Sequence, residues 1–600
     1  MSYFRELGNY LLKYGGIYRL QSALRRRRSA KFMANHFRHV IGLAAQGGPA
    51  IVPDTELDNG KPYFSFVVPV FNSPPKYLDD LLLSFESQQR GLAELILSDD
   101  GSTADETKSW LARHSDTKNL IVVSSSQNRG IAAATNIGIA RASGRWVGLI
   151  DHDDALAPFL ISQLVKALQQ RPDCQFLYTD EIVTDRKLQP EAYFLKPAWD
   201  PVLLSGVNYI NHLSLYKRDR LLGIGGLREK FEGSQDYDLV LRYTAELQDH
   251  EILHLPYPGY LWRRDGESYS VRQLEDATRS ARKALFQHYQ NSGTIEVDQA
   301  VSPNLHRVRF DIGRFGWPLV SVVIPSRDSL SLISTVLDGL TTQTDYPSLE
   351  IVVVDNGTTD EGVLALYERY RQGPTPFRAI INRESFNFSR SVNRGIAAST
   401  GEYVLLLNND IEVLEPNWLK EMVSCFHYPR TAIVGAKLLY PDRSIQHVGV
   451  IAGLGGLAGH WFIGRDEDFP GPMGRLWVRQ SLSVVTGACM LISRECLAAI
   501  AKFDEVRFGI AYNDVDYCLR AVNAGFRVVW TPFAKLIHHE SASRGSDELP
   551  DKIKRFENDK KNLRNIHHTL NFEDRAFNPW LSKNHSDPAP MRLKVLPPAR

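Results

Sequence analysis

The chain carries an internal repeat, and this repeat limits its possible folds more than any other feature of the sequence. Four blocks of a first copy recur in the same order in a second copy: SFVVP at 65–69 as SVVIP at 321–325, LSDDGST at 97–103 as VVDNGTT at 353–359, NIGIARASG at 136–144 as NRGIAASTG at 393–401, and QDYDLVLR at 235–242 as NDVDYCLR at 513–520. The offset is 256 or 257 residues for the first three blocks and 278 for the last, so the second copy holds about 21 extra residues before its final block. An ordered set of repeated blocks indicates a tandem duplication.

Each copy is predicted to alternate strands with helices. In the first copy, apolar runs predict strands at Phe64–Val68, Leu95–Leu97, Leu120–Val123 and Trp146–Ile150, with helices at Tyr77–Gln88 and Ala104–His114. This alternation is typical of a mainly parallel sheet covered on both faces. Ligands of such sheets bind beyond the carboxyl ends of the strands. The residues that end these strands, Pro69, Asp99, Asp100 and Asp151, are therefore expected on one rim.

The repeat also sets the predicted domain organisation, because 600 residues are too many for one hydrophobic core. We predict an α/β chain with a basic helical segment at 1–60, a first domain at 61–268, a helical linker at 269–317, a second domain at 318–546, and a C-terminal helix and tail at 547–600. No signal peptide and no apolar run long enough to span a bilayer is visible. The five cysteines form no Cys-x-x-Cys pair, which suits a reducing cytoplasm.

The first 40 residues are strongly basic, although the net charge of the whole chain is only +1. Glu6 is their only acid, against nine lysines and arginines: Arg5, Lys13, Arg19, Arg25, Arg26, Arg27, Arg28, Lys31 and Arg38. A cationic helix can dock on anionic lipid, where each Lys or Arg contributes about 1 kcal/mol. The alternatives are a solvated basic face and a nucleic-acid patch. We favour an anionic membrane surface and expect no nucleic-acid partner.

Carboxylates follow the second strand of each copy. Asp99 and Asp100 precede Gly101 in the first copy, and Asp355 precedes Asn356 and Gly357 in the second. A carboxylate at this point can accept a hydrogen bond from a nucleotide base or from a ribose hydroxyl. The alternative is a plain turn, since Asp-Gly and Asn-Gly are strong turn formers. The repeated context favours a nucleotide site.

An acidic run follows the fourth strand of the first copy. LIDHDD carries Asp151, Asp153 and Asp154, and its counterpart LLNNDIEV carries Asn408, Asn409 and Asp410. Crowded carboxylates repel one another unless a cation neutralises them. Mg²⁺ or Mn²⁺ bound to a diphosphate needs such oxygen ligands. We therefore favour a metal site over the alternative that Asp154 caps a helix.

Asp236 and Asp514 lie in the last repeated block, which reads as a helix start with Ser234 as its N-cap in the first copy. An ionised carboxylate is stabilised near a helix N-terminus. Such a group suits a general base that accepts a proton from an acceptor hydroxyl. The alternative is plain capping electrostatics, which this block taken alone favours.

The second copy ends on His538 and His539 behind an apolar run, where a neutral imidazole could complete a metal shell. The alternative is a surface histidine pair. The first copy has Tyr260-Leu-Trp-Arg-Arg264 at this point, with no histidine. Arg263 and Arg264 could instead neutralise phosphate charge.

Together these blocks resemble family 2 glycosyltransferases of the GT-A fold over about residues 64–265 and 319–545. The segments similar to that family's opening-strand, base-binding, Asp-x-Asp and acceptor-base motifs are VVPVFN, SDDGST, LIDHDD and GSQDYDLVLR in the first copy and VVIPSRD, VVDNGT, LLNNDIEV and YNDVDYCLR in the second. Tandem chains with DHDD first and NNDIEV…HHESASRG second resemble bacterial O-antigen and rhamnan-type polysaccharide biosynthesis enzymes, including rhamnosyltransferases. The resemblance implies two Rossmann-like GT-A domains in tandem, on the inner face of a bacterial plasma membrane.

The resemblance also implies a reaction and roles for residues. Each copy would transfer a sugar from a UDP-, dTDP- or GDP-sugar to a glycan or lipid-linked glycan, by single displacement with inversion. The implied donor-site residues are Pro69, Asp99, Asp100, Asp151 and Arg263 in the first copy and Pro325, Asp355 and Asn408 in the second. The implied ligands of Mg²⁺ or Mn²⁺ are Asp151, Asp153, Asp410 and His539, or His538 in its place. Asp236 and Asp514 would deprotonate the acceptor.

Two departures from the family pattern leave alternatives open. Asn408 replaces an aspartate in the second copy, and Gln235 stands where an acid is usual in the first. A bifunctional enzyme is therefore weighed against one catalytic copy beside an acceptor-binding or scaffold copy, and against a non-catalytic carbohydrate- or nucleotide-binding protein. A pyrophosphorylase and a dehydrogenase are disfavoured, because no Gly-rich phosphate loop opens either copy and GLGGLAG at 453–459 lacks the G-x-G-x-x-G spacing.

The extra residues of the second copy lie within 435–479 and include Tyr440, His447, His460 and Trp461. Aromatic faces stack well on sugar rings. We therefore expect this segment to form an acceptor-binding wall.

Overall fold

A computed structural model describes residues 30–52, 61–88, 91–264, 274–313, 316–540 and 550–600. The chain divides into two compact units. The first unit takes in the described residues up to Lys196, together with Ile210–Ala284 and Pro590–Arg600, and the second takes in Pro197–Tyr209 and Leu285–Ala589. The repeated blocks of the first copy lie in the first unit and those of the second copy lie in the second unit.

The first unit begins with a helix at residues 30–46 (α1). Its further elements are β1 Phe64–Val70, α2 Pro75–Glu86, β2 Ala93–Asp99, α3 Asp105–His114, β3 Leu120–Ser124, α4 Ile131–Arg141, β4 Trp146–Leu149, β5 Ala155–Leu156, α5 Leu160–Gln170, β6 Phe176–Thr184, β7 Pro190–Phe194, β8 Ser214–Lys217, α6 Arg218–Gly223, α7 Gln235–Thr244 and β9 Ile252–Arg263. A helix over Leu274–Tyr289 then leads from the first unit into the second.

The second unit includes a short helix at Pro201–Leu204. Its further elements are β10 Thr294–Gln299, β11 His306–Phe310, β12 Val320–Ser326, α8 Leu330–Asp338, β13 Leu349–Asp355, α9 Glu361–Arg371, β14 Phe377–Ile381, α10 Phe388–Ala398, β15 Tyr403–Leu407, β16 Ile411–Val413, α11 Trp418–Ser424, β17 Thr431–Leu439, β18 Ile445–His447, β19 Val450–Ala452, β20 Ala458–His460, β21 Gln480–Leu482, β22 Cys489–Ser493, α12 Arg494–Ala499, α13 Asn513–Asn523, β23 Arg527–His538 and α14 Pro550–His567.

The two units contain sheets of the same topology. The strand order is β3-β2-β1-β4-β8-β6-β9-β5 in the first and β14-β13-β12-β15-β22-β17-β23-β16 in the second, with β7 beside β6 and β18 beside β17. The strands of the β-α-β-α-β half pair in parallel, as the sequence predicts. The pairs β4–β8 and β15–β22 are antiparallel, so each sheet is mixed beyond that half. The predicted tandem α/β fold is confirmed.

The parallel half brings the predicted site residues to one edge of each sheet. Val70 at the end of β1 pairs with Asp99 at the end of β2, and the amide of Ile150 donates to the carbonyl of Val67. Asp151 therefore follows β4 beside the end of β1. In the second unit, Ser326 and Asp355 are paired in the same way.

A buried glutamate joins the other ends of these strands in the first unit. Glu94 Oε1 accepts hydrogen bonds from the Ser65 hydroxyl (2.6 Å) and the Ser143 amide (2.7 Å). The Ser65 oxygen in turn accepts from the Gly144 amide (2.8 Å). A Cβ at Gly144 would lie 2.7 Å from the carbonyl carbon of Phe64, so the repeated glycine allows the backbone to approach this closely.

The same arrangement recurs in the second unit. Glu350 Oε1 accepts from the Ser321 hydroxyl and from the Thr400 amide, and the Ser321 oxygen accepts from the Gly401 amide (2.7 Å). A Cβ at Gly401 would lie 2.6 Å from the carbonyl oxygen of Leu319. The duplication has therefore kept a hydrogen-bond network that fixes β1, β2 and β4, or β12, β13 and β15, to one another.

The connecting segments differ in detail from the predicted boundaries. The predicted helical linker holds a helix and also the hairpin of β10 and β11. Residues 197–209 lie in the second unit, because the Asp200 carboxylate accepts from the amide (2.7 Å) and the hydroxyl (2.6 Å) of Ser481. Of the predicted basic segment, residues Lys13 to Arg28 lie outside the described residues. No described helix is both long enough and apolar enough to cross a membrane.

A buried ion-pair network fixes α11 in the second unit. Glu421 on α11 accepts from Arg479 through both carboxylate oxygens (2.7 Å each), from Arg307 (2.7 Å), and from the Thr531 hydroxyl of β23 (2.7 Å). Burial acts to raise the pKa of Glu421, but the two arginines outweigh it and lower that pKa to about 2.

We predict that Glu421→Gln destabilises the second unit by about 3–5 kcal/mol, because it leaves buried guanidinium charge unpaired. Urea unfolding of the full chain measures this loss. The exposed Glu368→Gln is the matched control and should change the free energy of unfolding by less than about 0.5 kcal/mol.

The same carboxylate predicts a pH dependence. Its pKa is depressed in the folded state, so its stabilising contribution is present above the ordinary value of 4.5 and is lost as the pH falls from there to about 2. Glu421→Gln should flatten the acid limb of the stability curve. An acid limb that keeps its slope in this variant would contradict the assignment.

Candidate active sites

The first candidate residues end the second strand of each domain. Asp99 Oδ1 accepts from the Ser102 amide (3.1 Å). Asp355 is fully buried, and its two oxygens accept from the Thr358 amide (2.6 Å) and the Tyr367 hydroxyl (2.7 Å). Both aspartates thus also close the turn that the sequence offered as the alternative. Their contact with a nucleotide stays a prediction.

Asp100 has a structural role that the sequence did not reveal. Its two oxygens accept from the amides of Arg129 (2.9 Å) and Gly130 (2.8 Å), directly before α4. The side chain is buried, and these two bonds fix the start of α4. The expected contact of Asp100 with the donor stays a prediction. At the strand ends, Pro69 is partly exposed and Pro325 is buried.

A histidine lies between two carboxylates at the acidic edge of the first domain. His212 Nε2 lies 3.2 Å from Asp151 Oδ2, and its Nδ1 lies 3.5 Å from Glu181 Oε2. Burial would lower the pKa of His212, but the two carboxylates outweigh it and raise that pKa well above its usual value. Burial likewise acts to raise the pKa of Asp151, and His212 outweighs it and lowers that pKa. The first domain therefore carries its own cation at the acidic run.

The other carboxylates of this run have different surroundings. Asp153 is partly exposed. Its burial raises its pKa; the nearby His152 opposes this shift, and the charge of Asp151 adds to it. Asp154 is buried, and its oxygens accept from the Tyr260 hydroxyl and from the amide of Arg263 (2.7 Å each). The alternative that Asp154 caps a helix is wrong, because it precedes β5 and bonds to β9.

Arg263 does not face the acidic edge as expected. Its guanidinium pairs with Asp80 (2.9 Å) and lies over the ring of Tyr77, 4.3 Å from the ring centroid. The side chain is 1% exposed. The expected phosphate contact of Arg263 is corrected to an internal ion pair that joins β9 to α2.

The predicted base of the first domain lies in the first turn of α7. Asp236 Oδ2 accepts from the side-chain amide of Asn211, and burial raises the pKa of Asp236. The Ser234 hydroxyl donates to the carbonyl of Ala277 (2.7 Å) and does not cap the helix. Within the described chain, Asn211 Oδ1 and Gln235 Oε1 are buried acceptors without a donor. Such acceptors suit a ligand rich in hydroxyl groups.

In the second domain, a histidine of β23 faces the acidic edge. His538 Nε2 lies 3.1 Å from Asp410 Oδ1, and Asn408 Nδ2 lies 3.3 Å from the same nitrogen. His538 Nδ1 donates to Gln446 Oε1 (2.7 Å), while the Gln446 amide nitrogen donates to Glu540 (3.2 Å). Because an amide oxygen can only accept, His538 carries a hydrogen on Nδ1, and in the neutral tautomer with that hydrogen its Nε2 presents a lone pair to Asp410.

This pair of acceptors fits a divalent cation. Asp410 Oδ1 is buried and has no hydrogen-bond donor in the part of the chain that the structure describes. A carboxylate oxygen and an imidazole lone pair that face each other are both ligands of Mn²⁺, and a carboxylate is also a ligand of Mg²⁺. Among the described residues, no group of three His, Cys, Asp or Glu side chains could hold a metal. A cation here would therefore complete its shell with phosphate oxygens and water.

His539, the ligand first expected, points to a different carboxylate. Its Nε2 lies 2.9 Å from Glu412 Oε2, and the side chain is 35% exposed. Successive residues of a strand face opposite sides, so only one of the two histidines can face Asp410. His538 takes that position.

The predicted base of the second domain is held from the same edge. Asp514 lies in the first turn of α13, and its Oδ2 accepts from the amide of Gly487 (2.9 Å). Asn513, which precedes it, donates to the carbonyl of Ile510 (2.8 Å). Asp514 thus has one oxygen fixed by the loop before β22.

Strand register identifies the equivalent positions around the two bases. Trp146 of β4 and Tyr403 of β15 are equivalent positions. Trp146 pairs with Lys217 of β8, and Tyr403 pairs with Ser493 of β22, so Lys217 and Ser493 are also equivalent. Counted back along β8 and β22, the equivalent positions are Asn211 and Gly487, followed by His212 and Ala488. The donor to the base has therefore been kept, whereas His212 has no counterpart in the second domain.

The same comparison explains the missing late histidine of the first domain. β5 pairs with β9 as β16 pairs with β23, and this register makes Trp262 the equivalent of His538. Sequence reasoning missed His212, Glu181 and Gln446, because none of them lies in a repeated block. Their only sequence signal is that each is a polar residue in or directly before an apolar strand.

The expected acceptor-binding wall is corrected at Trp461. The indole is 1% exposed and donates to the carbonyl of Val448 (2.8 Å), so it offers no face to a sugar. Its neighbour His460 ends β20 and is partly exposed. The register places the extra residues of the second domain between β18 and β22, where β19 and β20 form a separate two-stranded sheet.

Comparison with known proteins agrees with this geometry. The model of "Glycosyl transferase family 2" matches residues 65–222 and 321–500, which together make up more than half of the chain. The chain belongs to glycosyl transferase family 2. One matched segment lies in each sheet-forming domain, which confirms the tandem resemblance.

Three proteins with similar sequences illustrate the relatives of the chain. An uncharacterized protein, y4gI, of Sinorhizobium fredii is 36% identical over 535 residues, which is 88% of this chain and 59% of that protein. The O-antigen biosynthesis protein RfbC of Myxococcus xanthus is 36% identical over 497 residues, or 82% of this chain and 38% of that protein. An N-acetylglucosaminyl-diphospho-decaprenol L-rhamnosyltransferase of Mycobacterium tuberculosis is 25% identical over 235 residues, or 35% of this chain and 73% of that enzyme. The chain thus spans about two fifths to three fifths of the first two relatives.

The two neighbouring histidines allow a matched test of the metal site. We predict that His538→Ala weakens Mn²⁺ binding by about tenfold or more, because it removes the nitrogen that faces Asp410. His539→Ala should stay within about twofold of the unaltered chain. Electron paramagnetic resonance titration of the full chain with Mn²⁺ and UDP measures both. Equal losses, or a loss only in His539→Ala, would contradict the placement.

Proposed function

We propose that the chain is a bifunctional glycosyltransferase that transfers sugars from nucleotide-diphosphate donors with inversion. The observation that carries the proposal is that each sheet edge combines a carboxylate after the fourth strand with a carboxylate in the first turn of a helix. In each domain that second carboxylate accepts a hydrogen bond from the equivalent position before β8 or β22. A donor site and a base at one edge are what single displacement requires.

Each site would contain a proton acceptor and ligands of a metal ion. The acceptor oxygen forms a bond to the anomeric carbon while the bond from that carbon to the diphosphate oxygen breaks on the opposite face. Asp236 in the first domain and Asp514 in the second take the proton of the attacking hydroxyl. The nucleoside diphosphate leaves with the bonding electrons, and a bound Mg²⁺ or Mn²⁺ supplies positive charge to it. Asp410 with His538, and Asp153 with Asp151, would hold that ion.

The relatives narrow the proposed substrates. Similarity to an O-antigen biosynthesis protein and to a rhamnosyltransferase that acts on a lipid diphosphate supports a bacterial surface glycan as product. A UDP-, dTDP- or GDP-sugar would be the donor, and a glycan or lipid-linked glycan the acceptor. Peripheral association with the inner face of the plasma membrane belongs to the same proposal.

One observation favours the alternative in which only the second domain is catalytic. His212 pairs with Asp151 and Glu181, so a charged imidazole already neutralises carboxylates of the first acidic run. The second domain has Ala488 at this position, and among the described residues Asp410 Oδ1 faces His538 Nε2 (3.1 Å) and has no hydrogen-bond donor. The first domain would then bind and position the glycan.

We predict that Asp236→Asn and Asp514→Asn each abolish a different linkage, with the rate of the affected step reduced at least about a hundredfold. The assay supplies the full chain with Mn²⁺, a panel of UDP-, dTDP- and GDP-sugars and a short-chain N-acetylglucosaminyl diphospholipid, and mass spectrometry with linkage analysis reads the products.

Matched controls are the exposed Asp105→Asn and Asp345→Asn, which should keep both linkages. Loss of all transfer in Asp514→Asn with none in Asp236→Asn would establish the single-domain alternative. Normal transfer by both variants would reject these aspartates as bases.

A further inference from the structure

One residue of the second domain orients two histidines toward the site. The side-chain oxygen of Gln446 accepts from His538 Nδ1 (2.7 Å), and its main-chain oxygen lies 3.1 Å from His460 Nδ1. Glu540 accepts from the amide nitrogen of Gln446, which settles which end of that amide faces His538. Gln446 lies in β18, and its side chain is buried.

The contacts of His460 fix its tautomer. A main-chain carbonyl can only accept, so His460 Nδ1 carries the hydrogen that it donates to Gln446 (3.1 Å), while His447 Nδ1 lies 3.2 Å away. Burial lowers the pKa of His460, although Asp514 and Glu540 oppose this. In the neutral ring, Nε2 is then a hydrogen-bond acceptor.

That acceptor lies on the side of the site where the base is. His447, 3.2 Å from His460, lies 3.4 Å through Nε2 from the Thr486 amide, and the next amide, that of Gly487, donates to Asp514 (2.9 Å). Within the described part of the chain, His460 Nε2 has no hydrogen-bond partner, and the ring is partly exposed. A neutral nitrogen beside a carboxylate base suits a ligand that donates a hydroxyl hydrogen.

The first domain has no counterpart of this histidine pair. The ladder of β6 and β7 places Phe194 where the ladder of β17 and β18 places His447. His460 belongs to the extra segment between β18 and β22, which the first domain lacks. The pair is therefore suited to a task that only the second domain performs.

We propose that His460 binds a hydroxyl of the acceptor sugar beside Asp514, and that Gln446 is a positioning residue that presents His460 to the acceptor and His538 to the metal edge. This inference rests on the proposed function of the second domain. The main chain of Gln446 serves the acceptor side and its side chain serves the metal side, so substitutions can separate the two roles.

The test uses the full chain with Asp236→Asn, so that only the second domain transfers sugar. His460→Phe keeps the ring size but removes both nitrogens, and it should raise the acceptor KM about fivefold to tenfold, as expected for one lost hydrogen bond. The donor KM and the Mn²⁺ concentration for half activation should stay within about twofold. His460→Gln, whose amide oxygen can replace Nε2, should restore part of the acceptor affinity.

Gln446→Met is the complementary variant, and the exposed His585→Ala is the control. Gln446→Met should raise the Mn²⁺ requirement about tenfold, because it frees the His538 ring. An unchanged acceptor KM in His460→Phe, or equal effects of that variant on acceptor and Mn²⁺, would overturn the inference. So would a failure of His460→Gln to restore any affinity.

Failure of the proposed function is a separate outcome. If the Asp236→Asn chain and the unaltered chain both transfer no sugar, the second domain is not a catalyst for this panel. Saturation-transfer NMR with octyl α-L-rhamnoside, UDP and Mg²⁺ then measures whether His460 contributes to binding of the acceptor analogue. A signal that His460→Phe weakens and His585→Ala keeps supports an acceptor contact, and a signal that neither changes overturns it.

Discussion

The parallel pairing of β1 with β2 and β4, and of β12 with β13 and β15, is the interaction on which both candidate sites depend. It places the ends of three strands side by side, so that residues far apart in sequence share one edge. The glutamate networks at the opposite ends hold this ladder in register. A slip of one residue would turn the side chains after β4 and β15 to the other face and dismantle the acidic edge. The glycines at 144 and 401, which the two copies share, thus support the sites from the opposite ends of the strands.

A cluster of carboxylates must be neutralised, and the two domains do this differently. In the first, His212 lies against Asp151 and Glu181 and supplies charge from within the chain. In the second, Ala488 replaces His212, and Asp410 Oδ1 faces His538 Nε2 at 3.1 Å, while His538 Nδ1 donates to Gln446. Under the proposed function, the second edge is therefore the one more open to a cation. A cation entering the first domain must displace His212 from Asp151, so we expect it to bind more weakly there.

The fold followed from the sequence because the repeated blocks lie in the buried parallel half, where strands are short, apolar and bounded by glycine or aspartate. The antiparallel half was harder to predict, since β8 and β22 share no repeated block. Asp151 and Asp410 follow the fourth strand of each domain, and Asp236 and Asp514 lie in the first turn of a helix; their roles stay predictions. Arg263 and Trp461 do not take their expected positions, because the burial of a long side chain depends on partners such as Asp80 and Val448 that only the folded chain supplies. His212 escaped notice for the same reason, as it acts through pairing across β4 and β8.

The extra segment between β18 and β22 changes what a substitution in the second domain can affect. Gln446 bonds to His538 through its side chain and to His460 through its main chain, so the two histidines share one rigid support. A ligand that shifts His460 must move the backbone of β18 or break its hydrogen bond to Gln446. Movement of that backbone carries the amide away from His538 and changes the lone pair that Asp410 faces. We expect coupling between acceptor and metal to follow this route from His460 through Gln446 to His538, and the first domain has Trp262 in place of His538 and lacks the segment that carries His460.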